Sequence, residues 1–263
     1  MVIGGHSGFG EAISRRFVSD GANVVIAGRR SDVVAEAARS MGAVGMVCDI
    51  TDDGQVAQLA AEVQAAHGPL HIAVNCAGFE QSTPIAELTP ERLEAMHAVQ
   101  LTGALYCMRH LGNAIAAHGE GGAFLSISSL TAHNPSRGLA AYASAKAGVE
   151  YASKIAAVEY GDRQVRFNVI AASLIETPMT SRIFRYAPAI EALREVTPLG
   201  RMGTVDDVAN AAAFLCGPEG VFITGQTLCV DGGASLLMLP TPQMFADVAR
   251  RVGEAAQQQQ QQQ

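Results

Sequence analysis

The chain has 263 residues, 49% of them apolar and 16% charged, with 18 Lys plus Arg against 25 Asp plus Glu for a net charge of -7. That length accommodates one large α/β domain rather than two, and the apolar share argues against disorder. The acidic balance argues against nucleic acid as a partner, no apolar run reaches the roughly 18 residues of a membrane span, and five cysteines without a Cys-x-x-Cys pair argue against a disulfide framework or zinc site and for the reducing cytoplasm.

Apolar runs predict strands at Met1–Gly4, Asn23–Gly28, Val44–Cys48, His71–Asn75, Ala123–Ser128, Arg166–Ile170 and Thr227–Val230. Several lack polar alternation, as strands covered on both faces do. Only three residues precede the first glycines, so the first strand is expected to begin upstream of Met1. No basic segment leads into an apolar core there, so no secretory signal is expected. Phe9, Ile13 and Phe17 form one stripe of the first helix. Thr89 followed by Pro90 reads as an N-cap and first helical residue, opening one long helix to about Ala117. A second long helix spans roughly Ala140–Tyr160. Pro242, Met244, Phe245, Val248 and Val252 predict a terminal helix over Thr241–Val252. The run Gln257–Gln263 reads as disordered or as an artefact of how the chain was recorded. Strand and helix alternation predicts a doubly wound, seven-stranded parallel sheet of Rossmann type in a single α/β domain over residues 1–256. Such sheets bind ligands beyond the carboxyl ends of their strands.

Gly4-Gly5-His6-Ser7-Gly8-Phe9-Gly10 follows the first strand and opens the first helix. Glycines let a phosphate reach backbone N–H groups, and the helix N-terminus favours the anion. Alone, the segment also reads as a plain tight turn. Tyr142 and Lys146 lie four apart on one helix face. A free phenol titrates near pH 10, and a neighbouring ammonium stabilises the phenolate. Alone, this pair also fits a solvated helix, and Ser128-Ser129 a strand end.

The ensemble resembles the short-chain dehydrogenase/reductase family, and the 3-oxoacyl carrier-protein reductase-like branch in particular. The resemblance is carried by the glycine turn, Asn75-Cys76-Ala77-Gly78, Ser129 thirteen residues before Tyr142, Tyr142-Ala-Ser-Ala-Lys146, Pro198-Leu-Gly-Arg-Met-Gly203 and Thr224-Gly-Gln-Thr-Leu-Cys-Val-Asp-Gly-Gly233, in that order. It implies an oxidoreductase moving a hydride between a nicotinamide cofactor and a small carbonyl or secondary alcohol. Tyr142 would be the acid/base, and Ser129 would hold the substrate oxygen. Lys146 would also contact the nicotinamide ribose. The fourth catalytic position, commonly Asn, matches Gln100 in Val99-Gln100-Leu101-Thr102-Gly103.

For the cofactor, the resemblance implies contacts from Gly4, His6, Ser7, Gly8, Phe9 and Gly10, and from Asp49 and Ile50 at the adenine. Asn75, Ala77 and Gly78 would contact it too, with Tyr142 and Lys146, and Ile170, Ile175 and Thr177 would face the nicotinamide end. Gly28 stands where NAD users place an acid, and Arg29 and Arg30 follow, so NADP(H) is expected over NAD(H). Arg29 and Arg30 also fit a solvated loop, and Asp49 also fits a cap for a helix starting near Thr51. Ile3, Cys76 and Ala172-Ser173 depart from the family pattern without removing a reacting group. No metal site is expected.

Phe79–Thr83, Leu130–Leu139 and a mobile lid from Met179 to Thr197 are expected to shape the substrate pocket. Arg182, Arg185 and Arg194 on that lid fit an acidic substrate group less well than a solvated face. His133 is expected to line the pocket or the surface, and the cysteines and methionines to be core. The resemblance implies a homotetramer pairing helices 89–117 and 140–160. A competing reading is a catalytically impaired nucleotide-binding regulator on the same fold, motivated by Gln100 and Ala172-Ser173. An epimerase or dehydratase is disfavoured because the chain is short for their extended substrate domain.

Overall fold

The computed structural model describes residues 1–236, so the expected helix over Thr241–Val252 and the Gln tail lie outside the described residues. The elements follow in order: β1 (Val2–Ile3), α1 (Gly8–Ser19), β2 (Val25–Gly28), α2 (Ser31–Met41), β3 (Val44–Val47), α3 (Asp53–His67), β4 (Ile72–Asn75), α4 (Pro90–His97), α5 (Gly103–Ala117), β5 (Gly122–Ser129), α6 (Ala140–Glu159), β6 (Val165–Ala172), α7 (Ser181–Phe184), α8 (Ala187–Glu195), α9 (Val205–Cys216) and β7 (Thr227–Val230). The strands form one all-parallel sheet in the order β3-β2-β1-β4-β5-β6-β7. The order reverses between β1 and β4, which opens a crevice at their carboxyl ends.

Successive residues of a strand point to opposite faces, and the sheet builds two cores from that alternation. Ile3, Ala27, Phe124 and Phe167 pack with α3, α5 and α6. Val2, Ile26, Leu125 and Ile170 pack on the other face with α1, α2 and α9. Each such aliphatic or aromatic side chain, fully buried, contributes about 1.5–3 kcal/mol.

All seven expected strands form, with shifted ends. β1 is short because Gly4, after giving its N–H to the Ala27 carbonyl at 2.7 Å, enters the turn. β5 and β6 run longer than expected because they pair without interruption from Gly122 and Val165 to Ser129 and Ala172. Ser129 is therefore the last residue of β5, at the crevice. The long helix expected to run to Ala117 is interrupted. α4 passes into a π-helical turn over Ala98–Thr102 before α5 begins. Thr89 caps α4 as expected, its Oγ1 accepting from the Arg92 N–H at 3.4 Å.

Candidate active site

The crevice widens into a cavity of about 1270 Å³. One end is the glycine turn. Ser7 occupies the N-cap of α1 without capping it through its side chain. The first-turn N–H groups of this helix therefore face the cavity walled by Ser7, Gly8, Phe9 and Gly10. Gly4 and His6 line the same end, with Arg29 and Arg30 beyond β2.

The His6 ring lies over Gly28. A Cβ at Gly28 would stand 2.9 Å from the His6 ring atoms Cε1 and Nδ1. His6 Nε2 is 3.4 Å from a guanidinium nitrogen of Arg30, while the buried Nδ1 has no partner among the described residues. Burial, then the Arg30 cation, lowers the His6 pKa from 6.5, opposed by Glu11. A cationic neighbourhood holding an unsatisfied ring nitrogen suits an anionic ligand.

Asp49 and Ile50 line the adjoining wall. The cap of α3 is Asp52, whose carboxylate accepts from the Gln55 N–H at 3.1 Å, and not Asp49. Asp49 instead accepts from the Thr51 N–H and hydroxyl at 3.0 and 2.8 Å. Ala77 and Gly78 also line the cavity, whereas Asn75 is buried behind it and accepts the Ala77 N–H at 3.1 Å. Ile175 and Thr177 line the cavity; Ile170, fully buried in β6, does not.

The residues expected to form the reaction centre meet at the carboxyl end of β5. The Ser129 hydroxyl is hydrogen-bonded to the Tyr142 phenol and accepts from the Thr131 N–H at 3.2 Å. Lys146, one turn further along α6, lies 5.6 Å from the Tyr142 ring centroid and donates to the Ile127 carbonyl at 2.8 Å. Lys146 is buried below the cavity wall that Ser129 and Tyr142 form. Burial dominates both titrations. It pushes the phenol up to about 12, with the Ser129 hydrogen bond acting downward and Glu80 upward. It brings the Lys146 ammonium down to about 8, against the opposing charges of Cys76 and Glu150. Burial raises Tyr142 where acidification by Lys146 was expected, and the downward influence comes from Ser129.

Comparison with known proteins decides the family. The family profile described as enoyl-(acyl carrier protein) reductase matches residues 3–235. The chain belongs to the short-chain dehydrogenase/reductase family. It is 32% identical to a galactitol 2-dehydrogenase of Cereibacter sphaeroides, over 88% of this chain and 92% of that one. A short-chain dehydrogenase/reductase from Mycobacterium ulcerans superimposes with a TM-score of 0.86 at 35% identity, covering 89% and 88% of the two chains. A gluconate 5-dehydrogenase from Burkholderia cenocepacia, solved with NADP and tartrate, superimposes with a TM-score of 0.86 at 28% identity, covering 90% and 95%.

In this short-chain dehydrogenase/reductase Gln100 does not reach Lys146 by a hydrogen bond. Its buried Nε2 donates to the Phe79 carbonyl, and its Oε1 lacks a partner among the described residues. The amide presses on the Asn75–Gly78 loop. A Cβ at Gly78 would lie 2.8 Å from it, so a larger residue there would displace the amide. The expected lid is α7 and α8. Met179, Ile183, Leu193 and Val196 face the cavity, while Arg182, Arg185 and Arg194 are exposed and do not line it. Arg194 pairs with Glu191 at 3.0 Å.

Glu80 lines the cavity, within the segment Phe79–Thr83 expected to shape it. One acid was missed in the sequence: Glu150, 8% exposed, sits one turn beyond Lys146. The four-residue step from Lys146 to Glu150 was the available signal. His133 does not line the cavity; its Nε2 lies 3.0 Å from the Glu150 carboxylate. Among the described residues one trio, His71, His118 and Glu120, brings possible metal-ligand atoms within 4.8 Å of one another. It lies at the amino ends of β4 and β5, away from the crevice.

Proposed function

We propose that this oxidoreductase transfers a hydride between NADP(H) and a small carbonyl or secondary alcohol, with Tyr142 exchanging the proton at the substrate oxygen. The observation that carries the reading is the placement of the Ser129 hydroxyl and the Tyr142 phenol, with the Lys146 ammonium behind them, on the wall of the cavity that ends at the glycine turn. Ser129 positions the substrate oxygen, Tyr142 gives or takes its proton, and the buried ammonium favours the phenolate during exchange. The dinucleotide, when bound, supplies or accepts the hydride. Its phosphates fit the uncapped N-terminus of α1, and its adenosine end fits Asp49, Ile50, Arg29 and Arg30.

The preference for NADP(H) over NAD(H) is supported by His6. Its ring fills the space over Gly28, where an NAD-selecting carboxylate would project, and the adjacent Arg29 and Arg30 suit a phosphate. The NADP-bound Burkholderia structure fits the same reading. The apolar lid favours an uncharged substrate body over an acidic one.

Exposed Leu105 on α5 and Tyr151, Ile155 and Val158 on α6 support a homotetramer assembled through these helices. All five cysteines are free, and no described helix is long and apolar enough to cross a membrane, which fits a cytoplasmic enzyme.

The test follows NADPH absorbance with a panel of ketones. Tyr142→Phe is expected to lower turnover by about 10²–10⁴-fold at saturating NADPH. Undiminished turnover in that variant refutes the assignment of the acid. NADPH binding without turnover in the unaltered protein would instead favour the impaired regulator, for which the unsatisfied amide of Gln100 is the motivating observation.

A further inference from the structure

Tyr142, Lys146 and Glu150 recur every four residues along α6, placing a phenol, an ammonium and a carboxylate on one stripe. The third member has no part in the hydride chemistry above. It is nonetheless buried, and a buried carboxylate without partners is strongly disfavoured. Its partners are specific. Ser128, on β5, donates to Oε1 at 2.6 Å. His133, in the segment after β5, brings Nε2 to 3.2 Å from Oε1 and 3.0 Å from Oε2. The His133 side chain is 40% exposed, so the buried carboxylate communicates with solvent through it.

The charged and titratable groups that face Glu150 are His133, Lys146 on its own helix and Cys229 on β7. The Cys229 thiol is pushed up by burial, then by Asp231 and Glu150. Gln100, by contrast, directs its amide to the Phe79 carbonyl, and no hydrogen bond joins it to Lys146.

We propose that Glu150, held by Ser128 and His133, is a positioning residue that keeps Lys146 in its ammonium form and thereby sets the pH range in which Tyr142 exchanges its proton. The inference rests on the roles of Tyr142 and Lys146 given above. Its physical content is electrostatic. The carboxylate stabilises the buried ammonium, and its removal lets Lys146 lose its proton at lower pH. Tyr142 then faces a neutral amine over more of the pH range, and the limb of the pH profile that reports Lys146 moves to lower pH. A purely structural role would lower the plateau and leave the limbs in place.

The chain has two lysines, Lys146 and the exposed Lys154, so isotope-labelled lysine yields two resonances in the intact protein, with Lys154 as the internal reference. In Glu150→Gln the Lys146 titration is expected to move to lower pH by about one unit, a tenfold change in its ionisation ratio, while Lys154 stays. Glu150→Met, an apolar exchange for the buried charge, is expected to show the same shift if Glu150→Gln does not fold. Glu150→Asp is expected to restore part of it. With NADP⁺ and cyclohexanol as probes, the Lys146 limb of kcat/KM for oxidation is expected to follow. An unmoved Lys146 titration in either folded variant overturns the proposal whatever the enzyme's activity. A moved titration together with full turnover in Tyr142→Phe upholds the charge coupling and refutes the reading of Tyr142 instead.

Discussion

Lys146 lies 5.6 Å from the centroid of the Tyr142 ring, yet its hydrogen bond goes to the Ile127 carbonyl, at 2.8 Å. The ammonium is thus anchored by backbone at the carboxyl half of β5, over the ring of Tyr142 and not hydrogen-bonded to its hydroxyl. Fixing a cation in a buried place destabilises the fold, and that penalty has a measurable pH signature.

Burial lowers the Lys146 pKa from 10.5 to about 8. The folded protein then binds fewer protons than the unfolded chain between those values, so stability rises with pH across that window. Below about 8 the penalty is present in full. Lys146→Met is therefore expected to raise stability at pH 7 by about 2 kcal/mol while removing turnover, and to flatten the rise in stability above pH 8. Urea unfolding at pH 7 and pH 9.5 measures both effects. A variant less stable at pH 7 would show that the ammonium is better compensated than its surroundings imply.

His6 is held below its ordinary pKa by burial and by Arg30. A phosphate placed beside it favours the imidazolium, so binding is expected to take up a proton. Affinity for adenosine 2′,5′-bisphosphate should strengthen as the pH falls from 7.5 toward the pKa of His6 in the free protein. His6→Asn is expected to flatten this dependence, and adenosine 5′-monophosphate to show none of it. Calorimetry in two buffers of different ionisation enthalpy counts the proton. Equal pH dependence of the two nucleotides would remove His6 from phosphate recognition.

Gly28 is enforced by the ring above it. Gly28→Asp is expected to weaken binding of both dinucleotides, because its Cβ would meet His6 at 2.9 Å. The pair Gly28→Asp with His6→Ala opens that space and is expected to bind NAD more tightly than NADP, by tenfold or more if one ribose hydrogen bond to a carboxylate is gained, worth about 1.5–3 kcal/mol. Fluorescence titration of NADH and NADPH decides it. An unchanged NADP preference in the pair would place the discrimination in Arg29 and Arg30 alone.

Gln100→Asn shortens the side chain by one methylene and withdraws its amide from the Phe79 carbonyl. A loss of about 1 kcal/mol in stability is expected, from a buried acceptor left unpaired. A gain in kcat would show that the amide serves Lys146 once released. A variant matching the parent in thermal midpoint, kcat and pH profile would leave position 100 without a special role.

Much of this molecule was legible in the chain because its signals are local. A strand buried on both faces is mostly apolar, as β2 is throughout and β4 is up to Asn75, while β5 and β6 keep apolar runs broken by Ser126, Ser128, Arg166 and Asn168. Thr89 and Pro90 mark a helix start through their own chemistry. Tyr142 and Lys146 share a face by helical geometry alone, though singling them out took the family resemblance, with the offset to Ser129 and the glycine turn.

Other features were not local. The π turn at Ala98–Thr102, which carries the buried Gln100 against Phe79 and Gly78, leaves no mark in apolar spacing. Asp52 and Asp49 offer the same carboxylate, and only the backbone path shows which one caps α3.

The sequence by itself determined the alternation of strands and helices, the glycine turn, and the phenol and amine on one helix face, since each follows from contacts within a few residues. Tertiary structure alone decided that His6 covers Gly28, that Ile175 rather than Ile170 meets the cavity, and that His133 joins Glu150. Those groups are brought together by the pairing of distant strands, and burial then sets their charges to a degree that no sequence spacing encodes.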